Sequence, residues 1–88
     1  MSDAETLLAF PCDFPIKIMG KTQSGFAQAV MEVVRRHVPE FDAATLEMRS
    51  SRENRYISIT CTVRVTSREQ LDELYRELCD HPMVTLVL

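Results

Sequence analysis

The chain has 88 residues and 45% hydrophobic content, enough for one small domain and too few residues for two. Its net charge of −3 provides no overall basic field for a nucleic-acid backbone, so composition disfavours nucleic-acid binding. The cysteines Cys12, Cys61 and Cys79 lack the C-x-x-C spacing of zinc sites, and no apolar run approaches the roughly 18 residues of a membrane helix. We therefore expect a cytoplasmic protein with reduced thiols, no metal or cofactor, and no membrane association.

The first strand is predicted in the segment FPIKIMG. There Phe14, Ile16 and Ile18 alternate with Lys17 and Met19, which is the period of two that a half-buried strand shows. One side of this strand is therefore expected to face the core.

A helix, a second strand and a third strand are predicted next. Apolar residues recur at the helical period from about Gln23 until Pro39 ends the helix. The segments AATLEMRS and YISITCTVRV then alternate as strands do. We expect these two strands to form a hairpin, because Asn54 between them tolerates the left-handed conformation.

The last two predicted elements are a helix and a strand. Ser67 followed by Gln70 is a capping-box signature before a helical pattern, and MVTLVL predicts the fourth strand. The order βαββαβ predicts an α+β, ferredoxin-like sandwich with a four-stranded antiparallel sheet, order 4-1-3-2, and two helices on one face. We predict that residues 13–88 form this single domain and that residues 1–12 are a flexible lead.

The open face of the predicted sheet is a candidate surface for a protein partner. Its side chains should be the polar sets of the strands, including Thr85 of the fourth strand. The candidate contact residues are Lys17, Met19, Arg49, Tyr56 and Arg64.

Five segments resemble a known family in order and spacing: FPCDFPIKIMG, VMEVVRRHVP, YISIT, LYREL and MVTLVL. They are similar to segments of the YbeD-like (UPF0250-type) family of small bacterial proteins of unknown function. The resemblance implies a ferredoxin-like fold similar to the ACT domains, which bind small molecules and regulate amino-acid metabolism. It therefore implies a non-enzymatic binding or regulatory module. Asn54 stands where the family is expected to have glycine, and both residues tolerate a left-handed turn.

The pair Gly20-Lys21 invites comparison with a phosphate-binding loop, which needs a further glycine five residues earlier. That position is Pro15, which has no N–H to offer a phosphate, so the motif fails. Two explanations of Gly20 remain. The favoured one is a permissive φ at a tight strand-to-helix turn, and the other is close approach of a ligand to the backbone.

A candidate ligand site follows from the predicted topology, because the fourth strand should run beside the first. This arrangement would gather loop residues and the N-terminus of the first helix at one end of the sheet, where a small anionic metabolite could bind. By resemblance, ACT domains hold their effectors at this position. The candidate residues are Gly20, Lys21, Thr22, Gln23 and His81.

Two other functions remain as alternatives. The protein could be an adaptor that binds a protein or RNA through the open face, although Tyr56 alone provides little aromatic surface for bases. An acylphosphatase-like enzyme is disfavoured, because the loop GKTQSG lacks the arginine that would grip a phosphoryl group.

Two further expectations concern assembly and thiol exposure. We expect a weak homodimer, formed through the apolar fourth strand or the open face. We also expect Cys61 and Cys79 to be sheltered and Cys12 to be the most reactive thiol.

Overall fold

The computed structural model describes residues 9–88, so most of the predicted lead lies outside the described residues, and the division into lead and domain stays a prediction. Two short 3-10 turns interrupt the chain at residues 43–45 and 52–54. The strands and helices, in chain order, are β1 Cys12–Lys21, α1 Phe26–His37, β2 Glu47–Ser50, β3 Tyr56–Val65, α2 Arg68–Asp80 and β4 Leu86–Val87.

The four strands form one antiparallel sheet in the order β2-β3-β1-β4, which confirms the predicted fold and strand order. The longest pairing joins β1 to β3 from Cys12 opposite Val65 to Lys21 opposite Tyr56. Since side chains alternate along a strand, this register sends even-numbered β1 residues towards the helices and odd-numbered ones to the open face.

The hydrophobic core lies between the sheet and the two helices. Each helix directs one apolar stripe at the sheet, and no polar residue is buried among residues 9–88. Burying one such aliphatic side chain contributes about 1.5–3 kcal/mol, so this layer carries most of the folding free energy. The core residues are Ile16, Ile18, Phe26, Val30, Val33, Val34, Val38, Phe41, Ile59, Cys61, Val63, Val65, Leu71, Leu74 and Leu78.

Strand β2 is shorter than the segment AATLEMRS predicted. Asp42 accepts a hydrogen bond on its side chain from the Ala44 N–H at 2.9 Å, and its carbonyl accepts one from the Thr45 hydroxyl at 2.7 Å. These local bonds compete with extended backbone and close a 3-10 turn over Ala43–Thr45. The strand therefore begins only at Glu47.

Helix α1 begins at Phe26, three residues later than the helical period predicted. The residue before it, Gly25, has φ of 85° and cannot continue a right-handed helix. The apolar pattern gives no sign of this boundary, because Gln23 and Ser24 are compatible with either conformation.

The hairpin between β2 and β3 contains the left-handed Asn54 that the sequence predicted, with φ of 57°. Glu53 is also left-handed, at φ of 66°, which is uncommon for a residue with a long side chain. The Ser51 N–H donates to the Tyr56 carbonyl at 2.8 Å and closes the turn.

The predicted capping box of α2 is confirmed in part. The Ser67 hydroxyl accepts a hydrogen bond from the Gln70 N–H at 3.1 Å. The Gln70 side chain does not return to Ser67. Its oxygen accepts from the Thr66 N–H at 2.7 Å, and its amide donates to the His37 carbonyl at 2.7 Å, which joins α2 to the end of α1.

The buried and open faces of strand β4 are exchanged relative to the prediction. Val87 pairs with the buried Ile18, whereas Leu86 pairs with Met19 on the open face. Thr85 lies before β4 and is exposed, and its N–H donates to the Met19 carbonyl at 2.7 Å, so its place on the open face stays a prediction. The open face gains Leu86, which is 47% exposed.

The cysteine prediction is correct for one thiol and wrong for another. Cys61 is fully buried on β3, as expected, but Cys79 is exposed and Cys12 is only half-buried. Cys79 follows the buried Leu78 by one residue, and one residue turns a helix by about 100°, which carries Cys79 out of the apolar stripe.

Within residues 9–88, neither helix has the length and apolar character needed to cross a membrane.

Candidate binding surface

The open face of the sheet is polar and cationic at one end. The register places Met19, Ser58 and Arg49 in one row across β1, β3 and β2. The next row contains Lys17 and Thr60 in the same order. Leu86 of β4 lies opposite Met19, so all four strands contribute to this face of the sheet.

Arg64, the remaining predicted residue of this face, lies apart from the others. It pairs with Asp13 across the β1–β3 ladder, where its Nη1 is 3.4 Å from the Asp13 carboxylate. This pair neutralises its own end of the sheet. The structure therefore brings together Lys17, Met19, Arg49 and Tyr56 but places Arg64 elsewhere.

A cleft of about 360 Å³ lies at the end of the sheet where β1 passes towards α1 and β2 turns into β3. The Thr22 N–H donates to the Arg55 carbonyl at 2.9 Å and holds the two loops together. We call this cavity the end cleft, and its lining residues are Lys21, Thr22, Asn54, Arg55 and Tyr56.

Only part of the predicted ligand cluster lines the end cleft. Lys21 and Thr22 do so, whereas Gly20, Gln23 and His81 do not. His81 is half-buried, and its Nδ1 accepts a hydrogen bond from the Met83 N–H at 3.1 Å, so it stabilises the turn before β4.

The other lining residues come from the hairpin and the start of β3, where the sequence predicted Tyr56 as a contact residue of the open face and Asn54 as a turn residue. Asn54, Arg55 and Tyr56 approach Lys21 because the β1–β3 register pairs Lys21 with Tyr56. The sequence could have predicted this contact. In neighbouring antiparallel strands, the end of β1 must lie beside the start of β3.

The structure explains why position 20 is a glycine, and this explanation differs from both of those drawn from the sequence. It lies inside β1 and does not have a positive φ, so it is not a turn glycine. A β-carbon at this position would collide with the Phe26 ring and the Met83 carbonyl oxygen. The close approach is made by the protein's own residues, and Gly25 supplies the left-handed conformation instead.

The charges around the end cleft are unevenly neutralised. Among the residues that the structure describes, Lys17, Lys21 and Arg49 have no carboxylate partner. Arg55 differs, because its Nη2 is 3.2 Å from the Glu53 carboxylate. An anion entering the cleft would therefore meet Lys21 first and compete with Glu53 for Arg55.

The arrangement can bind and orient an anion. Two cations and the Asn54 amide offer donors, and the Tyr56 ring offers an apolar wall. In the described part of the chain, no group of three or more His, Cys, Asp or Glu side chains could hold a metal ion.

Comparison with known proteins places the chain among bacterial relatives. A family model described as "Protein of unknown function (DUF493)" matches residues 5–88. A UPF0250 protein of Nitrosomonas europaea is 60% identical over 84 residues, which is 96% of this chain and 97% of the relative. A UPF0250 protein of Bordetella pertussis is 56% identical over 84 residues, again 96% of this chain, and 92% of the relative.

Solved structures share the fold at low sequence identity. Protein HP0495 from H. pylori superposes with a TM-score of 0.74 at 15% identity, covering 92% of this chain and 85% of that one. The ACT domain from GTP pyrophosphokinase of Chlorobium tepidum gives a TM-score of 0.65 at 18% identity, covering 86% and 84%. These neighbours support the ACT-like, ferredoxin-like fold that the sequence predicted.

Proposed function

Since the chain belongs to the DUF493 family of proteins of unknown function and has an ACT-like fold, we propose that it is a non-enzymatic regulatory module. Its ligand is a small anionic metabolite, and the binding site is the end cleft. The observation that carries this proposal is Lys21, which has no carboxylate partner within residues 9–88, beside Arg55 in a cavity of about 360 Å³. That volume lies in the range of small-molecule sites, about 300–1,000 Å³.

The polar groups of the end cleft favour a carboxylate or a phosphate. Lys21 supplies a mobile point charge, and Arg55 supplies a planar fork that matches two oxygens of one anion. The Tyr56 ring would contact an apolar or flat part of the ligand. The Thr22 N–H is already engaged by the Arg55 carbonyl, so the charge contacts come from side chains.

The affinity of the isolated domain should be modest. Lys21 and the surrounding side chains are exposed, and exposed charge contacts are each worth little in water. We expect a dissociation constant of about 1 mM, or somewhat below it.

The test is a thermal-shift screen against amino acids, dicarboxylates and nucleotides, with two variants that act in opposite directions. Lys21→Ala should weaken binding by a factor of about three to ten, because it removes the positive charge of the lysine. Glu53→Gln should strengthen it, because Arg55 loses its competing carboxylate. Arg35→Ala on α1 is the control and should leave affinity unchanged. If no compound in the screen stabilises the protein, or if the variants bind as wild type does, this proposal is wrong.

A further inference from the structure

A continuous groove runs along β3 on the open face. The end cleft shares Tyr56 with a neighbouring depression of about 210 Å³, and that depression shares Arg49 and Ser58 with a third of about 270 Å³. The floor is formed by the short side chains of Ser58 and Thr60 on the central strand. We call this feature the sheet groove.

Longer side chains on the two neighbouring strands form the walls of the sheet groove. Met19 on β1 faces Arg49 on β2, and in the next row Lys17 faces Glu47. The walls therefore stand two strand spacings apart, about 10 Å between backbones, and their side chains narrow the space further. An extended chain fits this width, whereas a helix with its side chains is about 10–12 Å across and does not.

The length of the groove also suits a short extended segment. Its end rows, at Tyr56 and Thr60, are four residues apart along β3, which corresponds to about 13 Å. Four or so residues of an extended partner would span it. Contact of this size belongs to weak and transient association rather than to a permanent complex.

The charge of the sheet groove is positive although the whole chain is negative. Lys21, Arg49 and Lys17 lie in three successive rows, and none has a carboxylate partner within residues 9–88. Glu47 is the single carboxylate among the residues that line the three depressions. Successive rows are about 7 Å apart, which is also the repeat of alternate side chains along an extended chain.

We propose that the sheet groove binds an extended acidic segment of a partner protein, with carboxylates near Lys17 and Arg49 and an apolar side chain near Met19. A second copy of this chain would bring like charges together if the two open faces met. Single-stranded RNA would find Tyr56 as the one aromatic side chain lining the groove, which leaves successive bases without a stacking platform. This inference goes beyond the proposed function, because neither Lys17 nor Arg49 lines the end cleft.

The test uses fluorescence anisotropy with a short labelled peptide of alternating glutamate and alanine. The probe should bind with a dissociation constant of about 0.1–1 mM at low salt and lose affinity as salt rises. The double variant with Lys17→Glu and Arg49→Glu should weaken binding about tenfold or more, because two attractive contacts become repulsive. Arg35→Glu on α1 makes a charge reversal away from the groove and should change affinity less than about twofold.

Several outcomes would overturn this inference. The inference is wrong if an isosteric glutamine–alanine peptide binds as tightly as the glutamate probe. It is also wrong if the folded double variant binds the probe as tightly as wild type does. If charge reversal prevents folding, the milder double variant with Lys17→Gln and Arg49→Gln must show the loss of peptide affinity. The chemical-shift dispersion of its NMR spectrum verifies that this variant is folded. Oligouridylate binding tighter than the peptide, and lost in the same variants, would identify a nucleic-acid groove instead. Lys21→Ala separates the two proposals, because it should weaken metabolite binding about three- to tenfold. In that same variant, the effects of Lys17 and Arg49 on peptide binding should persist.

Discussion

The side chains of His37 and Glu77 meet where α1 ends against α2, with Nε2 of the imidazole 2.6 Å from Oε1 of the carboxylate. Arg36 bonds to the other oxygen of the same carboxylate. One acidic residue on α2 therefore bonds to two of the three basic side chains in the last turn of α1. Because positive charge is also favourable at a helix C-terminus, the contact adds to an arrangement that the helix dipole already supports.

We predict that Glu77→Gln will make stability less dependent on pH in the acid range. The hydrogen bond from Arg36, followed by the one from His37, lowers the pKa of Glu77 below its ordinary value of 4.5. A carboxyl group whose pKa is lower in the folded state stabilises the protein above about pH 4.5, and this contribution is lost as pH falls through the lowered pKa. Since the side chain is 35% exposed, solvent screening should limit the effect to about 0.5 kcal/mol or less.

Urea unfolding at neutral pH and at acid pH measures this effect. The matched control is Glu73→Gln, an exposed residue on the same helix that should change neither stability nor its pH dependence. Equal pH profiles for wild type and Glu77→Gln would show that the contact contributes nothing.

Gly20→Ala should destabilise the protein by about 1–3 kcal/mol through overpacking. The new methyl group would push against the Phe26 ring in the core and the Met83 carbonyl, and backbone oxygen is not free to move aside. At Gly25 nothing lies within 4 Å, and the cost arises only from φ of 85°. Asparagine should therefore be tolerated better than alanine at position 25 but not at position 20. Chemical denaturation of the four variants would reveal this reversal, and its absence would refute the packing explanation.

The thiols should react with iodoacetamide in the order Cys79, Cys12, Cys61 in the native protein. Their exposure decreases in that order, and burial raises the pKa of the Cys61 thiol to about 11. Cys61 should therefore react only when the protein unfolds. Its rate of alkylation should be the same in the Cys79→Ser variant as in wild type. Mass spectrometry of alkylated peptides gives the order. Modification of Cys61 ahead of Cys79 would contradict the assigned faces of β3 and α2.

The protein should form a weak homodimer through the outer edge of β4. In an antiparallel ladder, alternate residues direct their backbone groups away from the partner strand. Leu88 exchanges both hydrogen bonds with Lys17, so the N–H and C=O of Val87 point to the uncovered edge. Sedimentation velocity should show dimer at high micromolar concentration, and Val87→Pro, which removes one outward N–H, should reduce it. A strictly monomeric wild type would rule this assembly out.

The sequence predicted the sheet order because its strongest signals were long and periodic. These signals gave the element order βαββαβ, whose usual solution is the sheet order 4-1-3-2, and the alternation of Ile16 and Ile18 gave the buried face of β1. Local turn chemistry was harder to foresee. The Asp42 bonds that shorten β2 and the left-handed Gly25 that delays α1 depend on backbone geometry rather than on periodicity.

The candidate site was predicted only in part for a related reason. Lys21 and Thr22 were predicted from their position after the segment FPIKIMG, but Asn54 and Arg55 join them through a register that links distant segments. The face assigned to β4 failed because MVTLVL is apolar at nearly every position, so alternation could not decide which face Leu86 occupies.

The measurement that tests the proposed function most directly is a ¹⁵N NMR titration with the metabolite that stabilises the protein most. We predict saturable shifts at the amides of residues 20–22 and 54–56. In Lys21→Ala the same shifts should need about three to ten times more ligand, while the rest of the spectrum stays unchanged. Shifts confined to other parts of the fold, or none at millimolar ligand, would contradict the claim that the end cleft is a binding site.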